Sequence, residues 1–181
     1  LIYPDLIESL QYAKAKNLYT SITTNALTLK QKANAVCESG LNDIFISLDG
    51  PEEIHNQIRG HRSSFQKAIE GIDELLKQSQ RPNISIFCVI TEWNIGHLKE
   101  FADYFKSYPI KQLGFMHTNF TPDFIVSNHN KIYGDKYPAT ISNTEQIEIS
   151  KMNLKILLNE VTEIKKSDYS FKVTFSPEIK T

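Results

Sequence analysis

The sequence predicts an α/β fold, a parallel sheet with helices outside it, and three observations carry that expectation. Helix and strand patterns alternate from residue 5 onward, and the segments between strands are long enough to hold helices. Residues 84–90, Ile-Ser-Ile-Phe-Cys-Val-Ile, are almost continuously apolar, as strands covered on both faces are. Long crossovers mean parallel pairing, since antiparallel neighbours need only a short turn. A doubly wound sheet and part of a (β/α) barrel both satisfy this rhythm.

Each element has its own signal. Leu6, Leu10 and Ala13 lie on one face of a first helix, and residues 18–23, Leu-Tyr-Thr-Ser-Ile-Thr, read as a strand. Leu29, Ala33 and Val36 mark the next helix, closed by Gly40 as a C-cap. The strand at 43–48 ends in Ser47-Leu48-Asp49-Gly50 and enters a loop carrying His55 and Arg59. Ser63 and Gln66 fit a capping box for a helix with Phe65, Ile69, Ile72 and Leu76 inward. After the strand at 84–90, Asn94 is expected to cap a helix burying Ile95, Leu98, Phe101 and Phe105, and residues 112–117 form another strand. Residues 120–143 lack periodicity and are rich in Asn, Pro, Tyr and His, which predicts an inserted loop. A long helix from near Thr144 would place Leu154, Leu157, Leu158, Val161 and Ile164 on one face, and a strand at 171–175 ends the pattern.

Composition narrows the function classes. The chain has 181 residues, 40% hydrophobic and 23% charged, enough for one globular domain with a core. Its 20 Lys and Arg are balanced by 21 Asp and Glu, mixed along the chain, so no basic block predicts a nucleic-acid or anionic-membrane partner. No apolar run approaches a membrane span. Cys37 and Cys88 lie far apart without CxxC spacing and read as buried hydrophobes of a reducing, cytoplasmic protein.

In a parallel α/β fold ligands bind at the C-terminal strand ends, so those residues are the candidates. The ends read Thr23-Thr24-Asn25, Ser47-Leu48-Asp49-Gly50, Thr91-Glu92 and His117-Thr118-Asn119. Each alone is ordinary turn or cap chemistry, and together on one face they suit a polar small molecule. The glycine-rich dinucleotide turn, the P-loop, the HExxH zinc helix and the GxSxG elbow are all missing.

TTNA at 23–26, ESGLNDIFISLDGPEEIHNQIRG at 38–60 and SSFQKAIEGIDELLK at 63–77, in this order and spacing, closely resemble the central part of radical S-adenosylmethionine enzymes. The resemblance spans about residues 1–119. It implies a partial (β/α) barrel over 1–181 lacking its first two strands, with an insertion at 120–143. It implies S-adenosylmethionine and a [4Fe–4S] cluster as cofactors, reductive cleavage to a 5′-deoxyadenosyl radical, and hydrogen abstraction from a small-molecule or peptide substrate. Ser47 and Thr24 match family positions that contact the cofactor, with Asn25 shaping the turn or assisting that contact. Asp49 is the family's loop carboxylate, a cofactor contact or a structural acceptor of backbone N–H groups. Arg59 either grips a carboxylate or pairs with Glu52 or Glu53; His55 reads mainly as loop packing. His117 and Asn119 are possible substrate contacts.

Departures from the family pattern are equally definite. Ala26 stands where Gly is usual, which matters if that backbone needs positive φ. Asn56 replaces a usual Asp. The CxxxCxxC cluster loop is absent, and two cysteines cannot supply three thiolates. The expectation is therefore a fragment, inert alone and prone to self-association through the open edge at 18–24. A different barrel enzyme, such as a metal-dependent hydrolase or aldolase, would instead need His117 and His129 to converge with a carboxylate on a metal. A non-catalytic barrel remnant used for binding is the other alternative.

Overall fold

Parallel strands stacked in chain order dominate the computed structural model, which describes residues 1–118, 121–141 and 149–179. The strands are β1 (Ser21–Thr24), β2 (Asp43–Ser47), β3 (Asn83–Ile90), β4 (Gln112–His117) and β5 (Lys172–Ser176). The helices are α1 (Leu6–Ala15), α2 (Leu29–Glu38), α3 (Glu52–Arg59), α4 (Ser64–Leu76), α5 (Leu98–Tyr104), α6 (Asp123–Tyr133) and α7 (Leu154–Lys166), with a 3-10 turn at Ile149–Lys151. The order β1-β2-β3-β4-β5 never reverses, and every pairing is parallel. Right-handed crossovers in such an order put all the helices on one side, which makes an arc of a (β/α) barrel and excludes the doubly wound arrangement, whose order must reverse.

Burial along the strands records the same asymmetry. Ile44, Ile46, Leu48, Ile84, Ile86, Cys88, Leu113 and Phe115 point toward the helices and are almost wholly buried. Phe45, Ser47, Phe87, Val89 and Met116, on the alternate face, are only half-buried. Phe45 and Phe87 meet edge to face there, with centroids 5.3 Å apart. The alternate face is the barrel interior, lined but not covered by these elements.

Helix packing follows small residues. Gly71 lies inside α4, and a Cβ there would sit 2.7 Å from Cβ of the fully buried Leu29 on α2. Glycine is thus used for close approach, against its weak helix propensity. Gly71→Ala is expected to lower stability by about 1–2 kcal/mol, because overpacking outweighs the propensity gained. An unchanged or higher urea midpoint for this variant would contradict that packing.

Several local expectations are corrected. Ser63 does precede α4 but makes no side-chain cap bond. Asn56 of α3 does the capping, its Oδ1 accepting from Phe65 N (2.9 Å) and Ser64 Oγ (2.8 Å). The segment with His55 and Arg59 is helical, not a loop, and ends at Gly60 in the left-handed region. Within 120–143, expected as an insertion without secondary structure, α6 forms directly behind Pro122, an extended N-cap residue whose C=O accepts from Ile125 N and Val126 N. The helix expected from Thr144 begins at Leu154; residues 142–148 lie outside the described part.

The buried stripe of α7 is Leu157, Glu160, Val161 and Ile164, while Leu154 and Leu158 are exposed. Asn94 does not cap α5. That helix receives its cap from Glu160, whose carboxylate accepts from Gly96 N (2.7 Å), Leu98 N (2.8 Å) and Lys99 N (3.2 Å). Among the described residues no helix is long and apolar enough to cross a membrane.

Candidate functional site at the C-terminal strand ends

Because the strands are parallel, Thr24, Ser47 and His117 end β1, β2 and β4 at the same rim. Strand parity then separates them. Thr24 is in register with Ile46, and His117 with Ile90, both residues of the helix-covered face. Ser47 is in register with Phe87 on the uncovered face. Of these three, Ser47 alone stands on the barrel-interior side. Asn119 lies outside the described residues.

The β1 end forms a self-contained turn. Thr24 Oγ1 accepts from Ala26 N at 3.0 Å, and Asn25 Oδ1 accepts from Leu27 N at 3.3 Å. Such side-chain-to-backbone bonds two residues on are what Thr and Asn supply in turns. Ala26 between them has φ +59° and is fully buried, so the backbone does adopt the conformation that glycine favours.

Asp49 is the centre of the β2 end. Its carboxylate is nearly buried and takes two bonds from Arg59, Nε to Oδ2 at 2.5 Å and Nη2 to Oδ1 at 3.2 Å. Arg59 thus pairs with Asp49, not with Glu52 or Glu53, and Asp49 receives a guanidinium instead of a row of backbone N–H groups. His55, 1% exposed, accepts the Asp49 N–H on Nδ1 at 3.0 Å. That bond assigns the ring proton to Nε2. The same Nδ1 lies 3.4 Å from Oδ2. Burial by itself would raise the Asp49 carboxyl, yet contact with His55 and the charge of Arg59 hold it below the usual aspartate range. Since Nδ1 is already accepting a bond, Arg59 is the partner that keeps the carboxylate ionised. Asn25, His55 and Arg59 also meet around a small cavity of about 210 Å³, closed by Gly60, His61 and Ser64.

Asn94, a site residue the sequence reading missed, ties β2 to β3. It is fully buried, and its Oδ1 accepts from Thr91 N at 2.8 Å. Its Nδ2 donates to Val89 O at 2.7 Å and to Asp49 O at 2.8 Å. The signal available was an Asn four residues past a strand end, and the same spacing suits a helix cap.

Buried hydroxyls without a partner gather at this rim too. Thr28 follows the β1 turn, Thr91 follows β3 and Thr118 follows β4; the Oγ1 of each is buried and unpaired. A buried polar atom left so costs about 1–3 kcal/mol, and such atoms mark places where a ligand or ordered water completes the bonding.

Metal ligation has no comparable support. Cys37 is buried on α2 and Cys88 inside β3, and burial pushes both thiols up, against the thiolate a cluster needs. Among the described residues no group of His, Cys, Asp or Glu is placed to hold a metal ion. His129 Nε2 instead meets Tyr137 O at 2.7 Å, so the convergence that a metal-dependent hydrolase would need does not form.

Comparisons with known proteins bear on the family and the fold. Fe-coproporphyrin III synthase of Methanosarcina barkeri is 26% identical over 114 residues, covering 62% of this chain and 28% of that protein. AdoMet-dependent heme synthase of Oleidesulfovibrio alaskensis is 33% identical over 98 residues, 53% of this chain and 25% of the relative. The chain therefore spans about a quarter of the length of these curated relatives. The crystal structure of SuiB from Streptococcus suis superposes with a TM-score of 0.65 at 14% identity, covering 96% of this chain and 36% of that one, a likeness of fold. The model of the Radical SAM superfamily matches residues 1–105, and the chain belongs to that superfamily.

Proposed function

We propose that the complete protein containing this barrel arc is a radical S-adenosylmethionine enzyme and that the β2–β4 rim holds part of the cofactor. One observation carries this reading: buried, unpaired hydroxyls and the half-buried Ser47 are collected at the one end of the sheet where a polar ligand binds. S-adenosylmethionine, with its aminocarboxylate and ribose diol, fits that donor and acceptor set. When bound with a reduced [4Fe–4S] cluster it supplies, by cleavage of its sulfonium, the radical that takes hydrogen from substrate. The cysteines described above do not fit such a cluster, so no step is assigned to them.

Within this reading the chain's residues bind and orient. Ser47 offers a hydroxyl on the uncovered face. Asp49, held by Arg59, supports the turn that follows Ser47. Thr24 and Asn25 hold the β1 turn, and the expected substrate contacts are His117, from the rim and not from the barrel interior, and Asn119. The substrate class is a small molecule or a peptide. That residues 1–181 form one partial barrel belongs to the same reading.

Ser47→Ala in the complete protein is expected to weaken S-adenosylmethionine binding about fivefold, the effect of one neutral hydrogen bond of about 1 kcal/mol. Titration calorimetry measures it. An unchanged Kd would make Ser47 structural.

A further inference from the structure

The backbone ladder between β2 and β3 stops just short of the site. Its last bond runs from Leu48 N to Phe87 O at 3.0 Å. Beyond it the backbone of Asp49 is held by side chains from two different segments. His55 accepts its N–H at 3.0 Å, and Asn94 donates to its C=O at 2.8 Å. Both side chains are buried, at 1% and 0% exposure. The remaining capacity of Asn94 is spent on β3, where it takes Thr91 N and gives to Val89 O. One amide thus joins the two strand ends in place of the missing ladder. A buried amide with both its oxygen and its nitrogen bonded to main chain has no freedom left to adjust, so it sets the spacing of what it joins.

We infer that Asn94 is a positioning residue for cofactor binding, acting through the β2 end that carries Ser47 and touching no ligand itself. His55 is its counterpart on the other side of the same residue, holding the peptide group before Asp49 as Asn94 holds the one after it. This rests on the reading of Ser47 as a cofactor contact. The physical reason is preorganisation. Ser47 lies two residues before the clamped residue, and a hydroxyl held in place loses less freedom on binding than one at a fraying strand end.

A double-mutant cycle tests it on the complete, cluster-containing protein, with S-adenosylmethionine titrated by calorimetry without reductant. Asn94→Ala is expected to weaken binding about tenfold when Ser47 is present, and less than about threefold in a Ser47→Ala background, because coupled residues are not additive. Equal factors in both backgrounds overturn the inference while leaving Ser47 a cofactor contact. If Ser47→Ala alone binds like wild type, the reading of Ser47 fails and the inference falls with it. Should Asn94→Ala not fold, the opposite side of the clamp gives the answer. His55→Ala is expected to weaken binding similarly, and His55→Asn, whose Oδ1 reaches the place of Nδ1, to restore it. A His55→Asn protein that binds no better than His55→Ala overturns the clamp.

Discussion

Glu160→Ala is expected to destabilise the fold by about 3 kcal/mol, among the largest effects of any single side chain described here. The carboxylate is 7% exposed and accepts from the N–H groups of Gly96, Leu98 and Lys99. These are donors that a helix start cannot satisfy within itself, and a negative charge there also complements the helix dipole. The seven-residue α5 is too short to persist without tertiary support, so losing the cap is felt across its contact with α7. Glu160→Gln keeps one acceptor oxygen and turns an amide toward a donor, so it should cost about half as much. Urea denaturation of wild type, Gln and Ala variants measures the series. An Ala variant within about 0.5 kcal/mol of wild type would show that water replaces the cap at no loss.

Arg59→Ala is expected to cost about 2–4 kcal/mol at neutral pH, because it strands the Asp49 carboxylate without its countercharge. Breaking a fully buried pair costs more, but the Arg59 side chain is 37% exposed and solvent screens part of the loss. The pH dependence has a definite sign. In the wild type the Asp49 carboxyl is held below its ordinary value. Its contribution is therefore full above the ordinary aspartate pKa of about 3.9 and fades as pH falls through the depressed one. In Arg59→Ala the guanidinium's share of that depression is gone, so the folded-state carboxyl titrates higher than in the wild type and the variant gains less from its ionisation as pH rises. The gap between the two proteins should narrow steadily from pH 7 toward pH 3. A gap that is constant or widens on acidification would mean that Arg59 acts through packing of its stem. Asp49→Asn in the Arg59→Ala background should recover part of the loss, since a neutral amide needs no countercharge.

Much of the sheet was legible because buried parallel strands carry long apolar runs. The strand expected at 112–117 is β4 itself, and that at 84–90 differs from β3 by one residue. Helix caps were not legible. Ser63, Gln66 and Asn94 sit at positions where local capping is the normal use of such residues. Asn56 and Glu160, eight or more residues away, make the bonds instead. Local spacing cannot distinguish a cap from a tertiary clamp, because both need the same short polar side chain beside a strand or helix end.

Read alone, the sequence determined the alternation of elements, the family resemblance through residues 23–26, 38–60 and 63–77, and the rim on which the candidate residues gather. It did not determine which of those residues share a face. Register did that: Thr24 aligns with Ile46, not with Ser47, and a shift of one residue in a strand exchanges the two faces of the sheet. Nor could the sequence assign a partner to Arg59. The choice among Asp49, Glu52 and Glu53 follows from where α3 leaves the β2 turn, a direction set by His55 and Asn94 holding the Asp49 backbone from either side. Pairing of charges and parity of strands depend on distances between segments remote in the chain, and only the packed fold supplies those distances.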